Sequence, residues 1–406
     1  MFKYLYLKKI SSFFLLFSIL ISISLKCNCV IGYCAAPEMT VTSEAACVIE
    51  GTTGTIIYEK NKDKELIPAS ITKIMTLILI FEAIDSGKIS LNDNVTVSEY
   101  AASMGGSQVF LEPGEIQTVD TMIKCISIAS ANDACVAMAE YIAGTEAAFV
   151  DMMNNKATEL GMSHTHFMNC NGLDDSIKSG HYSSAYDVAL MSRELIMKHP
   201  EISNYSTVWM DTITHTNRKG ETKEFGLTNT NKLIRTYDGI TGLKTGSTAK
   251  AKYCLSATAK RNDLNLIAVV MAAPDHKTRF SLCASLLDYG FSNCSIYKDD
   301  NKDFSYTVEK IPGSLINNLE LYPENDFSYI FTNKYDENLI HKEVEINKDI
   351  KAPVNAGDVL GTIKYFYNKN EIGTINVLAK NDAPKASYTD YLGALFKSYF
   401  TFGYNK

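Results

Sequence analysis

The chain has 406 residues, of which 46% are hydrophobic, and this length allows more than one domain with its own core. The formal net charge is −7 and no block of lysine or arginine stands out, so nucleic acid is not expected as a partner. Internal repeats and low-complexity stretches are absent from the sequence, so the elements are taken in chain order.

The first predicted element is an export signal. Three lysines precede an apolar run over residues 10–25, and the small residues Ala35 and Ala36 follow. A basic start, a short apolar middle and a small-residue end are typical of a secretory signal peptide, which we assign to residues 1–36. The apolar run is shorter than the roughly 20 residues that a membrane-spanning helix needs. An uncleaved membrane anchor is the alternative interpretation.

Residues 37–295 mix helical and strand patterns and are predicted to form one α+β domain. A strongly apolar stretch begins just after Pro68 and ends at Gly87, which predicts a buried helix. A turn at Arg261-Asn262-Asp263 joins the last two strands into a hairpin. The predicted helices cover residues 70–87, 121–129, 134–142 and 185–197, and the predicted strands cover residues 46–49, 55–58, 253–259 and 264–272.

The remaining two segments differ in character from this domain. Residues 298–385 alternate short β-branched runs with turns, which predicts a small all-β domain. Residues 386–406 form a tail in which Tyr388, Leu395 and Tyr399 recur at helical spacing. We predict an amphipathic helix that lies on a membrane surface. A helix packed on the β domain is the alternative.

The cysteines and histidines indicate neither a disulfide framework nor a metal site. Seven cysteines follow the signal, an odd number, and most stand among apolar neighbours. They are therefore predicted to be buried free thiols. The seven histidines show no metal-ligand spacing and are interpreted as structural or surface residues. No metal, nucleotide or other cofactor is predicted.

A serine followed three residues later by a lysine occurs three times, as Ser70–Lys73, Ser247–Lys250 and Ser295–Lys298. Only Ser70 stands at the start of a long apolar helix, where the helix dipole and a free backbone N–H are close to its side chain. Lys73 lies one turn further on the same helix face. A buried lysine can lose its proton and act as a base towards a serine hydroxyl. The first pair is therefore the candidate catalytic pair.

Two more short motifs follow. Ser130-Ala131-Asn132 interrupts two helical patterns, so that a loop can project Ser130 and Asn132 into a cleft. The alternative is that Ser130 is an ordinary N-cap of the next helix. Lys244-Thr245-Gly246 occurs once and suits the binding of a small carboxylate, because the glycine permits close backbone approach. An exposed lysine on an edge strand is the alternative there.

In this order the three motifs resemble those of penicillin-binding proteins and class A β-lactamases. The resemblance is to the serine-type D-alanyl-D-alanine carboxypeptidases, the low-molecular-mass penicillin-binding proteins. Further stretches that look like this family are Asn171-Gly172-Leu173, His181-Tyr182-Ser183 and the segment from Lys351 to Gly361. The resemblance implies a β-lactamase/transpeptidase-like α+β domain with an antiparallel sheet and helices, followed by the β domain and the tail.

The family resemblance also implies roles for the catalytic residues. Ser70 would attack the carbonyl between two D-alanines and form an acyl-enzyme, which water then hydrolyses. Lys73 would take the serine proton, and Ser130 would relay a proton to the departing D-alanine. The backbone N–H groups of Ser70 and Ser247 would form the oxyanion hole.

The binding residues follow from the same resemblance. Asn132 would hold the peptide amide of the substrate. The end of the substrate that carries the terminal carboxylate would be bound by Lys244, Thr245, Gly246 and Ser247. The implied partners are peptidoglycan stem peptides ending in D-Ala-D-Ala, and β-lactam antibiotics that acylate Ser70. The expected location is the outer face of the cytoplasmic membrane or the cell wall.

Three other functions were weighed against this one. A class A β-lactamase needs a glutamate within a Glu-x-x-Leu-Asn segment, which is absent between Asn132 and Lys244. A wall endopeptidase or transpeptidase would use the same acyl-enzyme, and the sequence leaves it open. A non-catalytic peptidoglycan-binding protein is disfavoured because all three motifs are intact.

Overall fold

The computed structural model describes residues 40–175, 178–216, 220–332 and 335–401. The predicted signal peptide and the cysteines at positions 27, 29 and 34 lie outside the described residues, as does the end of the tail. All seven cysteines that follow residue 40 are buried free thiols, as predicted.

The central element of the first domain is a five-stranded antiparallel sheet with the strand order β2-β1-β9-β8-β7. Its strands are β1 (Ala45–Glu50), β2 (Ile56–Lys60), β7 (Ile240–Thr248), β8 (Lys252–Arg261) and β9 (Leu264–Ala273). In β9 the side chains of Ile267, Val269 and Met271 join the main core, whereas Leu266 contacts the opposite helix at Gly290. Both faces of the sheet are thus covered, which explains why β9 is a continuous apolar run rather than an alternating one.

Helices surround this sheet. The first, α1 (Lys73–Asp85), is buried on every side from Lys73 to Phe81, so its sequence lacks an amphipathic pattern. The 3₁₀ helix Ala69–Thr72 precedes it directly. The other helices of this domain are α2 (Glu99–Ala102), α3 (Val119–Ser127), α4 (Asn132–Ala143), α5 (Glu146–Glu159), α6 (Ala185–Lys198), α7 (Ser203–Ser206) and α8 (His276–Asn293). Short 3₁₀ helices cover Pro200–Ile202 and Lys232–Arg235.

Two small two-stranded antiparallel sheets extend the first domain. Their strands are β3 (Asn94–Thr96) with β4 (Ile116–Thr118), and β5 (Met210–Thr216) with β6 (Thr222–Thr228), of which the second pair is a hairpin. The sequence did not predict either pair. The β5–β6 hairpin is largely exposed and rich in threonine and charged residues, so it lacks the apolar pattern on which strand prediction depends.

The second domain is all-β, as predicted. A two-stranded sheet joins β10 (Ser295–Asp299) to β13 (Phe327–Phe331), and a five-stranded sheet has the order β11-β12-β16-β15-β14. The rings of Phe327 and Tyr365 stack at 3.8 Å in its core. The five strands are β11 (Tyr306–Glu309), β12 (Asn318–Pro323), β14 (Ile340–Ile346), β15 (Val359–Tyr367) and β16 (Asn370–Ala379), and a 3₁₀ helix covers Glu337–Leu339.

The tail forms the predicted helix, α9 (Tyr388–Thr401). Residues 387–399 are all exposed, so the alternative of a helix packed on the β domain is wrong. Among the described residues, no helix is long and apolar enough to span a membrane.

Candidate active site

Ser70 lies in the 3₁₀ turn that leads into α1. Pro68 precedes this turn, and Ala69 has a positive φ of 49°. Of the turn residues only Ser70 is partly exposed, whereas Ala69, Ile71 and Thr72 are buried. The backbone of Gly172 packs on this turn so closely that a Cβ there would lie 1.9 Å from the Ala69 carbonyl oxygen. The fold therefore leaves one residue of this turn, Ser70, partly exposed and supports the turn by backbone contact from Gly172.

Lys73 is the first residue of α1 and is fully buried. Its Nζ lies 2.9 Å from Ser70 Oγ, 2.6 Å from Asn132 Oδ1 and 2.7 Å from the carbonyl oxygen of Asn171. The predicted pairing of Ser70 with Lys73 is thus present as a direct hydrogen bond. Asn171 was noticed in the sequence only as a family-like stretch, since a backbone carbonyl leaves no side-chain signature.

Burial makes it easier for Lys73 to lose its proton. Burial lowers the pKa of Lys73 below its ordinary value of 10.5. A neutral amine has two N–H donors and one lone pair, and the two carbonyl oxygens of Asn132 and Asn171 accept two hydrogens. The lone pair is then left for the third neighbour, the hydroxyl of Ser70. This arrangement lets Lys73 accept the proton of Ser70.

Ser130 lies in the loop between α3 and α4, and Asn132 is the first residue of α4. Ser130 is buried and has a φ of 63°, which directs the chain sharply into α4. The alternative that Ser130 caps this helix is wrong, because Ala131 is the N-cap and no side chain caps it. The Nδ2 of Asn132 donates to the Gly105 carbonyl at 2.7 Å, so its Oδ1 faces Lys73. A substrate amide that binds Asn132 would either form a third hydrogen bond with this side chain or replace one of the two hydrogen bonds to Lys73 and Gly105.

Lys244, Thr245 and Gly246 lie on β7, the edge strand that faces the Ser70 turn. A Cβ at Gly246 would lie 2.7 Å from the Pro68 carbonyl oxygen and 3.1 Å from the Ser70 nitrogen. Glycine is therefore required for the strand to approach the serine this closely. This contact places the Lys244-Thr245-Gly246 motif next to the turn that carries Ser70.

The alternative of an exposed edge-strand lysine is wrong, because Lys244 is 1% exposed. Burial, and after it the nearby charge of Lys73, lowers the pKa of Lys244 well below its ordinary value. The Nζ donates a 3.3 Å hydrogen bond to the Thr245 carbonyl oxygen, while the Thr245 hydroxyl donates to Thr230 Oγ1 at 2.7 Å. A bound carboxylate would supply the opposite charge that favours protonated Lys244.

The two other serine–lysine pairs have different surroundings. Ser247 is exposed on β7, and Lys250 donates to the carbonyl oxygen of Asp174 at 2.9 Å. Lys298 forms an ion pair with Asp263 at 3.5 Å. Neither of these two lysines is buried, in contrast to Lys73.

Two further residues support the site and were not predicted from the sequence. Arg279, on α8, is 5% exposed and donates to the Gly246 carbonyl oxygen at 3.1 Å from behind β7. His181 places its Nε2 2.9 Å from the Thr72 hydroxyl, and its Nδ1 accepts a hydrogen bond from the Met168 N–H. Both residues contact atoms within or next to the three motifs but belong to none of them. The spacing of the motifs therefore could not predict them.

Comparisons with known proteins find relatives for both domains. The family model described as D-alanyl-D-alanine carboxypeptidase matches residues 33–275, and the model described as Penicillin-binding protein 5, C-terminal domain, matches residues 291–385. D-alanyl-D-alanine carboxypeptidase DacF of Bacillus subtilis is 42% identical over 87% of this chain and 89% of its own. DacC of Escherichia coli is 32% identical over 82% of both chains. Penicillin binding protein 5 from Haemophilus influenzae has a TM-score of 0.73 at 28% identity, covering 86% of this chain and 100% of that chain.

Proposed function

Because this chain belongs to the family of serine-type D-alanyl-D-alanine carboxypeptidases, we propose that Ser70 is the nucleophile with which it removes the terminal D-alanine from peptidoglycan stem peptides. The observation that carries this proposal is the buried Lys73 amine, 2.9 Å from the Ser70 hydroxyl. The absence of a Glu-x-x-Leu-Asn segment between Asn132 and Lys244 favours the peptidase over a class A β-lactamase.

Acylation begins with transfer of the Ser70 proton to Lys73. The Ser70 oxygen bonds to the carbonyl carbon between the two D-alanines, and negative charge develops on the carbonyl oxygen. Two backbone N–H groups, those of Ser70 and Ser247, are proposed to bind this oxygen. The first N–H groups of a helix have no acceptor within the helix, and the approach of Gly246 brings the Ser247 end of β7 beside Ser70. Donors of this kind stabilise charge that exists only in the transition state.

Collapse of this intermediate breaks the carbon–nitrogen bond. The departing D-alanine nitrogen needs one proton, which Lys73 holds and Ser130 relays. Lys73 is then neutral again, and it can take a proton from the water that attacks the acyl-enzyme and return it to the Ser70 oxygen when the ester bond breaks. The same base therefore serves both halves of the reaction.

Lys244 and Thr245 are proposed to bind the terminal carboxylate of the substrate. Burial makes a charged Lys244 ammonium costly as long as no opposite charge lies beside it. A substrate carboxylate bound here would supply that opposite charge and would in turn be stabilised by the ammonium. Penicillin carries a carboxylate and a strained amide in a similar arrangement. It is expected to acylate Ser70 in the same way.

Labelling with fluorescent penicillin tests the nucleophile. The wild-type protein is expected to be labelled, and Ser70→Ala is expected to lose the label completely. Ser295→Ala is the matched control, because Ser295 has the same spacing to a lysine but lies in the β domain. Label that persists in Ser70→Ala would overturn the assignment. Release of D-alanine from a peptide ending in D-Ala-D-Ala, compared with the turnover of penicillin, then separates peptidase from β-lactamase activity.

The proposed location is the outer face of the cytoplasmic membrane, where α9 holds the enzyme near its substrate. Tyr388, Leu395, Phe396 and Tyr399 are exposed on this helix. Exposed aromatic and aliphatic side chains on one amphipathic helix suit the lipid interface.

Sedimentation with phosphatidylethanolamine–phosphatidylglycerol vesicles tests the tail, using the predicted mature chain from Pro37. Wild type is expected to sediment with the vesicles, and Leu395→Glu/Phe396→Glu is expected to stay in solution. Tyr306→Glu removes an exposed aromatic residue of the β domain and serves as the control. Equal binding by all three proteins would refute the role of the tail.

A further inference from the structure

A second cluster of ionisable side chains lies at the opposite end of α1 from the catalytic lysine. Asp85 is the last residue of α1, and His199 directly follows the last residue of α6. Glu201 belongs to the 3₁₀ helix that comes next. These three residues bring an imidazole and two carboxylates together where two helices end.

The imidazole of His199 is buried and held in one orientation. It is 4% exposed, and its ring stacks on Phe81 with the centroids 5.7 Å apart. Its backbone N–H donates to the Leu195 carbonyl oxygen at 3.1 Å, which ties the residue to the end of α6. The Nδ1 atom nevertheless has no hydrogen-bond partner in the described part of the chain. A buried polar atom without a partner is uncommon, because it has lost water and gained nothing in return.

Both carboxylates lie beside this Nδ1 atom. Asp85 Oδ2 is 2.9 Å away, but not in the direction of a hydrogen bond, and Glu201 Oε1 is 3.9 Å away. The three atoms all lie within 4.8 Å of one another. Ligands of a tetrahedral zinc ion at ~2.1 Å stand roughly 3.4 Å apart, so these separations match after small rotations of the carboxylates. We propose that Asp85, His199 and Glu201 form a binding site for a divalent transition-metal cation, with zinc as the best fit.

The charge of the site supports a cation. The carboxyl ends of α1 and α6 carry partial negative charge, and the two carboxylates add to it. Within the described ranges, neither Asp85 nor Glu201 forms an ion pair with a lysine or arginine. A bound cation would neutralise a charge arrangement that is otherwise repulsive.

The donor atoms select the type of cation. Magnesium and calcium prefer sets of oxygen ligands, whereas an imidazole nitrogen suits zinc and its neighbours in the first transition row. Three protein ligands leave a position for water, and the exposed side chains of Asp85 and Glu201 place that position at the surface. The sequence did not predict this site because Asp85 is remote in sequence from His199 and Glu201.

The position of the site indicates a structural role. Asp85 and Lys73 stand at opposite ends of α1, roughly 18 Å apart at 1.5 Å per residue. A cation there would clamp the ends of α1 and α6 without touching the reacting atoms. The expected effect of zinc is therefore on thermal stability, with the rate of D-alanine release unchanged.

Calorimetric titration with zinc chloride tests the proposal on the full chain, after removal of metal with a chelator and alkylation of accessible thiols. Wild type is expected to bind one zinc ion at this site. His199→Gln and Asp85→Asn are each expected to weaken that binding at least about tenfold, since loss of a ligand exceeds the usual effect of losing its outer-shell support. Asp85 is 56% exposed, so Asp85→Asn is expected to fold normally.

His164→Gln is the matched control, because His164 is an exposed imidazole whose Nδ1 lies 3.8 Å from Glu65. This variant is expected to bind zinc as wild type does. In thermal melts, zinc is expected to raise the Tm of wild type and of His164→Gln, but not that of Asp85→Asn. Equal zinc affinity and an equal Tm shift in Asp85→Asn and wild type would overturn the proposal. So would a wild-type protein that binds no zinc.

Discussion

The stability of the enzyme in mild acid should depend on His181. The Met168 N–H donates to Nδ1, so the ring proton must reside on Nε2, which donates to the Thr72 hydroxyl. Protonation of Nδ1 would set two N–H groups against each other in a site that is only 4% exposed. Burial, with a smaller contribution from His166, accordingly lowers the pKa of His181 from 6.5 to about 4.

This shift makes the folded state lose stability as the pH falls. Between pH 6.5 and about 4 the unfolded chain binds a proton at His181 and the folded chain does not, so the free energy of unfolding rises with pH in this window. At 1.36 kcal/mol for each pKa unit, the contribution of His181 between pH 7 and pH 4 amounts to about 3 kcal/mol. Below pH 4 both states are protonated, and the loss is complete.

Urea unfolding of wild type and His181→Gln at pH 7, 6, 5 and 4 measures this contribution. Glutamine does not titrate, so the variant is expected to be less stable at pH 7 but to lose about 3 kcal/mol less than wild type on acidification to pH 4. Other titrating groups affect both proteins and cancel in the difference. His164→Gln controls for the loss of an exposed imidazole. An equal loss of stability in wild type and His181→Gln would refute the reasoning.

Two further predictions concern the sheet and the thiols. Gly246→Ala is expected to lower kcat/KM for D-alanine release by about 100-fold or more, because a Cβ there pushes β7 away from the Ser70 N–H and spoils the oxyanion site. Gly226→Ala, whose Cβ meets no atom within 4 Å, is its control, and an unchanged kcat/KM in Gly246→Ala would contradict the close approach. Burial raises the pKa of Cys47 and of Cys135 to about 12, so native protein at pH 8 should resist iodoacetamide at both thiols and react only when unfolded. Peptide mass mapping reports the modification, and rapid alkylation of either thiol in the native protein would contradict their burial.

The elements that the sequence predicts most directly are uninterrupted runs of apolar residues. The helix α1 and the strand β9 are continuous apolar runs, because each is surrounded by other elements. The β5–β6 hairpin was missed because its residues are largely exposed and polar. The same distinction holds in the site. Motif spacing identified Ser70 and Lys73, but the Asn171 carbonyl depends on how the Gly172 backbone packs on the serine turn, and that packing has no pattern along the chain.

The three serine–lysine pairs differ in what surrounds the lysine. Lys298 is exposed and forms an ion pair with the carboxylate of Asp263. The hydrogen bonds of Lys73 to Ser70, Asn132 and Asn171 all end on neutral oxygen atoms. Burial, with no carboxylate among these contacts, lowers the pKa of Lys73. Once the amine is neutral, the two carbonyl oxygens can accept its two hydrogens, which leaves the lone pair for the hydroxyl. The proposed catalytic pair is therefore distinguished less by the three-residue spacing than by the burial of Lys73 and the neutral acceptors that the folded chain brings to it.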